Sequence, residues 1–72
     1  MTPQEIARIQ RYLRQTFDNN RITLRRRDNT SDSVEVLVGD EFIGVIYRDE
    51  DEGELSYAFN MAILEMDLPE LE

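Results

Sequence analysis

The chain has 72 residues, of which eight are Arg or Lys and 16 are Asp or Glu, and it contains no Cys, His or Trp. This length supports one small core, and the absence of Cys and His excludes disulfides, thiol chemistry, the commonest metal ligand and the commonest general base. No apolar run approaches the ~18 residues of a membrane span and the N-terminal segment lacks a secretory-signal pattern, so we expect one cytoplasmic domain over residues 1–72 with no cofactor.

The first predicted element is an amphipathic helix over residues 3–17. Thr2 fits the N-cap, Pro3 fits the first helical position, and Glu5 completes a capping box that satisfies free N–H groups at the helix start. The apolar residues of this segment recur at helical spacing and predict one buried stripe: Ile6, Ile9, Leu13 and Phe17.

Three segments with strand-like patterns follow the helix. Residues 21–27 alternate apolar with polar side chains, residues 33–38 place β-branched valines at period 2, and residues 42–48 are rich in apolar side chains. The polar stretch 28–32 between the first two segments predicts a turn. We therefore expect three strands before residue 49.

Gly39 and Asp40 predict a tight hairpin between the second and third strands. A two-residue loop at this point fixes a register. Its opposed pairs are Val38 with Glu41, Val36 with Ile43, and Val34 with Val45. The alternation of side chains then places Leu37, Phe42 and Ile46 on the opposite face of the sheet.

Residues 55–64 fit two patterns. Five large apolar side chains alternate with small or polar ones, which favours a strand, and an acidic loop at 49–53 would place Tyr57 opposite Val45 and Phe59 opposite Ile43. The same residues also fit helical spacing, so a helix stays open as the alternative. We choose the strand because its alternation is longer and more regular.

These elements predict an α+β fold in the order αββββ, with one N-terminal helix packed on a four-stranded antiparallel meander. The single helix covers one sheet face and leaves apolar residues on the other. The predicted interaction residues are Leu37, Phe42, Ile46, Ala58, Ala62 and Leu64. We expect a homodimer, or an unidentified protein partner, to cover this face or the edge of the last strand, unless the tail at 65–72 folds back over it.

Arg residues carry the alternative function, which is nucleic-acid binding. Residues 1–27 hold seven Arg against two acids, giving +5, whereas residues 28–72 hold one Arg against 14 acids, giving −13. The candidate phosphate-binding residues are Arg8, Arg11, Arg14, Arg25, Arg26 and Arg27. The net charge of −8 and the lack of aromatic residues among these Arg favour ion pairs with the acids at 49–54 instead.

The acidic segment 49–54 does not match a calcium-binding loop. Counted from Asp49, Gly53 falls at position 5 and Asn60 at position 12, where an EF-hand loop needs Gly at position 6 and Glu at position 12. The other acids lie in predicted turns, at a helix end or on polar strand faces, where no raised pKa is expected. Glu35 shares its face with Leu37 and fits a rim carboxylate. The sequence therefore predicts neither a metal site nor an enzyme.

Three segments carry a resemblance to a known family: TPQEIARIQRYLR at 2–14, VGDEFIGV at 38–45 and SYAFNMAIL at 56–64. They resemble a family of short bacterial proteins known as a domain of unknown function. The resemblance covers nearly the whole chain and implies a stand-alone single-domain protein. It implies no catalytic or binding residue, so the candidate sites rest on the residues themselves.

Overall fold

The computed structural model describes residues 1–27 and 32–71, which form one helix and a four-stranded antiparallel sheet. The elements are α1 (Pro3–Thr16), β1 (Ile22–Arg26), β2 (Ser33–Val38), β3 (Glu41–Asp51) and β4 (Glu54–Asn60), with a 3₁₀ turn at Glu65–Asp67. The strands pair in the order β1-β2-β3-β4, so the predicted αββββ fold is confirmed. Most of the predicted turn at 28–32 lies outside the described residues.

Helix α1 begins with the predicted capping box. The Glu5 N–H donates to Thr2 Oγ1 at 3.1 Å, and the Thr2 N–H donates to Glu5 Oε1 at 2.9 Å. The helix ends at Thr16, and Asp18 turns the chain with a φ of 51°. The prediction that Phe17 belongs to the buried stripe is wrong, because this residue caps the helix end and 56% of it is exposed.

The core lies between α1 and the sheet face that α1 covers. Its buried side chains come from the helix and the first three strands: Leu13, Ile22, Val34, Val36 and Ile46. Helix α1 lies nearest to β1, at one edge of the sheet. Helix α1 therefore covers the opposite edge, formed by β4, only in part.

A β-bulge in β3 changes the predicted pairing of β2 with β3. Val38 does lie opposite Glu41, but the register shifts between Val36 and Leu37, so Val36 lies opposite Gly44 and Val34 opposite Ile46. The predicted partners Ile43 and Val45 are therefore wrong. One extra residue reverses the face of every later side chain on the strand.

Ile46 is the residue whose predicted position changes most. It lies in the core with 2% of its surface exposed, and not on the second sheet face as predicted. Its neighbours Val45 and Tyr47, which were predicted to face the helix, point the other way instead. The cause is the bulge, which shifts the alternation along β3 by one residue.

Strand β3 is longer than predicted, and the turn between β3 and β4 is tighter. β3 continues to Asp51, and the turn is only Glu52 and Gly53, which have φ values of 53° and 81°. Such a pair of left-handed residues is typical of two-residue hairpin turns. Tyr57 consequently lies opposite Arg48, and Phe59 lies opposite Ile46, so both predicted pairs are wrong.

The strand interpretation of residues 55–64 is confirmed for the part that forms β4. This strand ends at Asn60, four residues before the predicted end. Gly44 lets the end of β4 approach β3 closely, because a Cβ at this position would lie 2.5 Å from the Asn60 carbonyl oxygen and 2.6 Å from Phe59 Cε1. The missing side chain leaves room for the Phe59 ring beside the core.

Candidate functional site

Exposed apolar side chains gather on the second sheet face, which is turned away from α1. They form the surface named here the second-face patch: Phe42, Val45, Tyr47, Met61 and Leu64. These residues border a groove of about 550 Å³. The exposed fractions are 47% for Phe42 and 43% for Tyr47, which is high for aromatic residues on a small domain. Contiguous apolar surface of this kind marks interaction sites.

Five of the six predicted interaction residues lie on the second face or in the segment beside it, and four of these are exposed. Leu37 is the exception, because only 8% of it is exposed in the single chain. Phe42 pairs with Leu37 across β2 and β3, and Tyr47 pairs with Ala58 across β3 and β4. Ala62 and Leu64 line the groove itself. The sixth residue, Ile46, belongs to the core. Binding by this surface stays a prediction.

The C-terminal tail, residues 61–71, leaves β4 next to the second-face patch. Most of its side chains are large and apolar, and all of them are exposed. They are Met61, Ile63, Leu64, Met66, Leu68 and Leu71. The described part of the predicted tail at 65–72 therefore buries none of its own apolar residues, and it leaves Phe42 and Tyr47 exposed.

A second apolar groove runs between α1 and β4, on the face that α1 covers only in part. This α1–β4 groove has a volume of about 660 Å³. Its apolar wall consists of Tyr12, Phe17, Leu55, Tyr57 and Phe59. Tyr12 is 63% exposed, and Arg8 and Thr16 line the helix side. The sequence did not predict this groove, because helical spacing does not tell which edge of a sheet a helix covers.

Glu5, Arg48 and Tyr57 form a polar cluster at one end of the α1–β4 groove. Glu5 Oε2 accepts hydrogen bonds from Arg48 Nε at 3.1 Å and from the Tyr57 hydroxyl at 2.5 Å. The Tyr57 hydrogen bond, with those of the Thr2 N–H and Arg48, lowers the pKa of Glu5 to about 2, and the Glu5 carboxylate raises the pKa of Tyr57. The cluster ties the start of the helix to the β3–β4 hairpin.

The pH dependence of stability should report this cluster. Folding lowers the pKa of Glu5, so the ionised carboxylate stabilises the fold above about pH 4.5 and this contribution is lost as the pH falls towards about 2. We expect Glu5→Gln, which keeps a capping-box side chain, to be less stable than the native chain at neutral pH. The difference should shrink through that pH window in urea unfolding experiments.

Tyr57→Phe provides the matched comparison for the Glu5 experiment. It removes the hydrogen bond that lowers the pKa of Glu5 most, so the folded-state pKa of Glu5 should rise towards its usual value. The acid-induced loss of stability should still begin near pH 4.5, but it should be smaller in total and be complete at a higher pH than in the native chain. If the free energies of unfolding of the native chain and of Glu5→Gln differed by the same amount at every pH, the Glu5 charge would not stabilise the fold.

The candidate phosphate-binding Arg residues are dispersed. Arg25 pairs with Glu35 on the second face, and its Nε donates to the carboxylate at 2.8 Å. Arg14 Nε donates to the Ile22 carbonyl oxygen at 2.7 Å, and Arg26 Nη1 donates to the Met1 carbonyl oxygen at 3.1 Å.

The remaining candidate Arg residues do not complete a continuous basic surface. Arg27 donates to Ser33 Oγ at 3.3 Å, whereas Arg8 and Arg11 lie exposed on α1. Among the described residues, Arg48 is the Arg that pairs with the acidic segment, through Glu50 at 3.6 Å. These contacts therefore do not include the expected ion pairs between the N-terminal Arg residues and the acids at 49–54.

Comparisons with known proteins identify a family without assigning a site. Within residues 1–27 and 32–71, no group of three or more acids, His or Cys is arranged to hold a metal ion, and no helix is long and apolar enough to cross a membrane. A family model described as "Protein of unknown function (DUF3126)" matches residues 5–67. No curated protein and no solved structure matches the chain.

Proposed function

Because the chain belongs to the DUF3126 family, whose description assigns no function, we propose one from its surface: a non-catalytic interaction module that acts as a homodimer. The observation that carries this proposal is the second-face patch, in which Phe42 and Tyr47 remain exposed beside Met61 and Leu64. A two-fold dimer covers such a patch with its own copy, since both partners offer the same surface.

Dimerisation also supplements a thin core. Among the residues that the structure describes, the buried cluster has five side chains, and α1 covers only one face of the sheet. Burying an exposed Phe or Leu side chain contributes about 1.5–3 kcal/mol. Covering both copies of the patch therefore adds apolar burial comparable with that of the core residues themselves.

The melting temperature at different protein concentrations tests this function. A folded dimer is favoured by mass action, so its melting temperature should rise with concentration across the micromolar range. A melting temperature that does not depend on concentration would contradict the homodimer. Circular dichroism at the start of each melt checks that the same fold is present at every concentration.

Nucleic-acid binding through Arg8, Arg11 and the other candidate Arg residues is the alternative function. Four of its six candidates already bind groups of the chain itself: Arg14, Arg25, Arg26 and Arg27. A net charge of −8 also opposes a phosphate backbone. Saturable, salt-dependent binding of a short single-stranded RNA would favour this alternative over the interaction module.

A further inference from the structure

We propose that the α1–β4 groove receives the distal tail, residues 65–71, of a second copy of the chain. The two copies would then exchange their C-terminal segments, each filling the other's groove. This inference rests on the proposed homodimer and adds to it a second contact and a named occupant. Three observations support it: the direction of the tail, the apolar surfaces that it would cover, and the charges on both sides.

The tail is directed away from the groove of its own chain. Met61, Leu64 and Asp67 line the second-face groove together with Phe42 and Tyr47. The α1–β4 groove opens on the other face of the same sheet, where Phe59 and Ile46 pack towards the helix. A tail that follows the second face points towards a second copy, which the homodimer brings to that face.

The tail and the groove have matching apolar surfaces that nothing covers in a single copy. Met66 is 84% exposed and Leu71 is 93% exposed, which is unusual for residues of this size. In the groove, Tyr12 and Phe17 are exposed on the helix side and Leu55 on the sheet side. Docking the tail would remove both sets of side chains from water together.

The charges of the two surfaces are complementary. The groove lining contains the acid Glu5, which is already paired with Arg48, and Arg8. Arg11 follows one turn after Arg8 on α1, and neither of these two Arg residues forms an ion pair with any residue that the structure describes. The distal tail carries Glu65, Asp67 and Glu70, which are likewise exposed. Complementary charge of this kind orients a docked acidic segment and disfavours basic competitors.

The length of the tail is sufficient for the exchange. Residues 65–67 form a 3₁₀ turn that rises about 2 Å per residue, and residues 68–71 span about 13–14 Å when extended, so the distal tail reaches about 19–20 Å. Neighbouring sheets in a sandwich lie about 10 Å apart. The distal tail of one copy can therefore pass the β4 edge of its partner and reach the face that carries α1. No rearrangement of the strands is required.

Disulfide trapping tests this exchange on the full chain, which has no native Cys. Thr16→Cys places a thiol in the groove, and Met66→Cys places one in the tail. The two variants, one of them isotopically labelled, are mixed, oxidised and weighed by mass spectrometry. Gln15→Cys is the matched control, because Gln15 is exposed on the same helix but does not line the groove.

We expect the Thr16–Met66 pair to cross-link on the order of a hundredfold faster than the Gln15–Met66 pair. Docking places the tail against Thr16 in the groove, whereas Gln15 does not line the groove and cannot meet the tail with disulfide geometry. Arg8→Glu in the groove variant should slow this cross-link. Equal rates for the two pairs would overturn the tail exchange. So would an internal disulfide in a chain that carries both Thr16→Cys and Met66→Cys.

The oligomeric state of the same variants separates the two proposals. Dimers that show no preferential Thr16–Met66 cross-link would overturn the tail exchange and leave the homodimer intact. If the reduced variants and the native chain are all monomeric, the homodimer is overturned, and the tail exchange is overturned with it. Far-UV circular dichroism matching that of the native chain ensures that each variant is folded.

Discussion

Replacing Ile46 with alanine should lower the free energy of unfolding by about 2–5 kcal/mol. Ile46 is 2% exposed and packs with Val34, which lies opposite it on β2, and with the other core residues. A chain of 72 residues has a total stability of roughly 4–11 kcal/mol, so this loss removes a large part of it. Chemical denaturation followed by circular dichroism measures the change.

Val45→Ala is the matched control for the Ile46 experiment. Val45 is adjacent on β3 but points to the second face and is only half-buried in a single chain. Because Val45 belongs to the second-face patch, both substitutions are compared in a monomeric Phe42→Asp background, where truncation of Val45 should cost about 1 kcal/mol or less. The β-bulge predicts that Ile46→Ala lowers the free energy of unfolding more than Val45→Ala does. If Val45→Ala were the more damaging substitution, the register of β2 with β3 would be the unbulged one, with Val45 facing the helix.

Phe42→Asp should convert the dimer into a monomer. An aromatic residue at the centre of an interface typically contributes about 2–4 kcal/mol, which corresponds to an increase in the dissociation constant of about 30-fold to about 1,000-fold. Because 47% of Phe42 is exposed, the substitution should leave the fold of the single chain intact. Sedimentation equilibrium measures the dissociation constant, and circular dichroism monitors the fold.

Phe42→Leu distinguishes loss of apolar contact from damage to the strand. Leucine keeps an apolar side chain at the patch, so this variant should remain a dimer with a modestly weaker association. A Phe42→Asp variant that stays dimeric, with an unchanged dissociation constant, would place the dimer contact outside the second-face patch.

Local sequence signals were sufficient for the element order. The capping box of Thr2 and Glu5 marks the helix start, and Gly39 with Asp40 marks the first hairpin, because each depends on residues close in the chain. The bulge after Val36 has no comparable local signal. It lies beside Gly44, which β4 approaches closely, and the pattern of β3 alone contains neither feature.

In the candidate site, too, the sequence predicted what depends on nearby residues and missed what depends on contacts between distant elements. Phe42 was predicted on the second face because it follows a tight turn whose geometry fixes its position. The cluster of Glu5, Arg48 and Tyr57 was not predicted, because it joins three elements and depends on the β3–β4 register. Four acids in a row, followed by Gly53, suggested a loop at 49–53, whereas backbone pairing continues the strand through Asp51 to a two-residue turn.

Sedimentation equilibrium of the native chain tests the central claim most directly. The homodimer predicts a mass twice the 8.5 kDa of one chain, with dissociation on dilution. Exposed apolar residues on the second face and in the tail are the physical reason for this expectation. A mass of 8.5 kDa throughout the micromolar range would contradict the account.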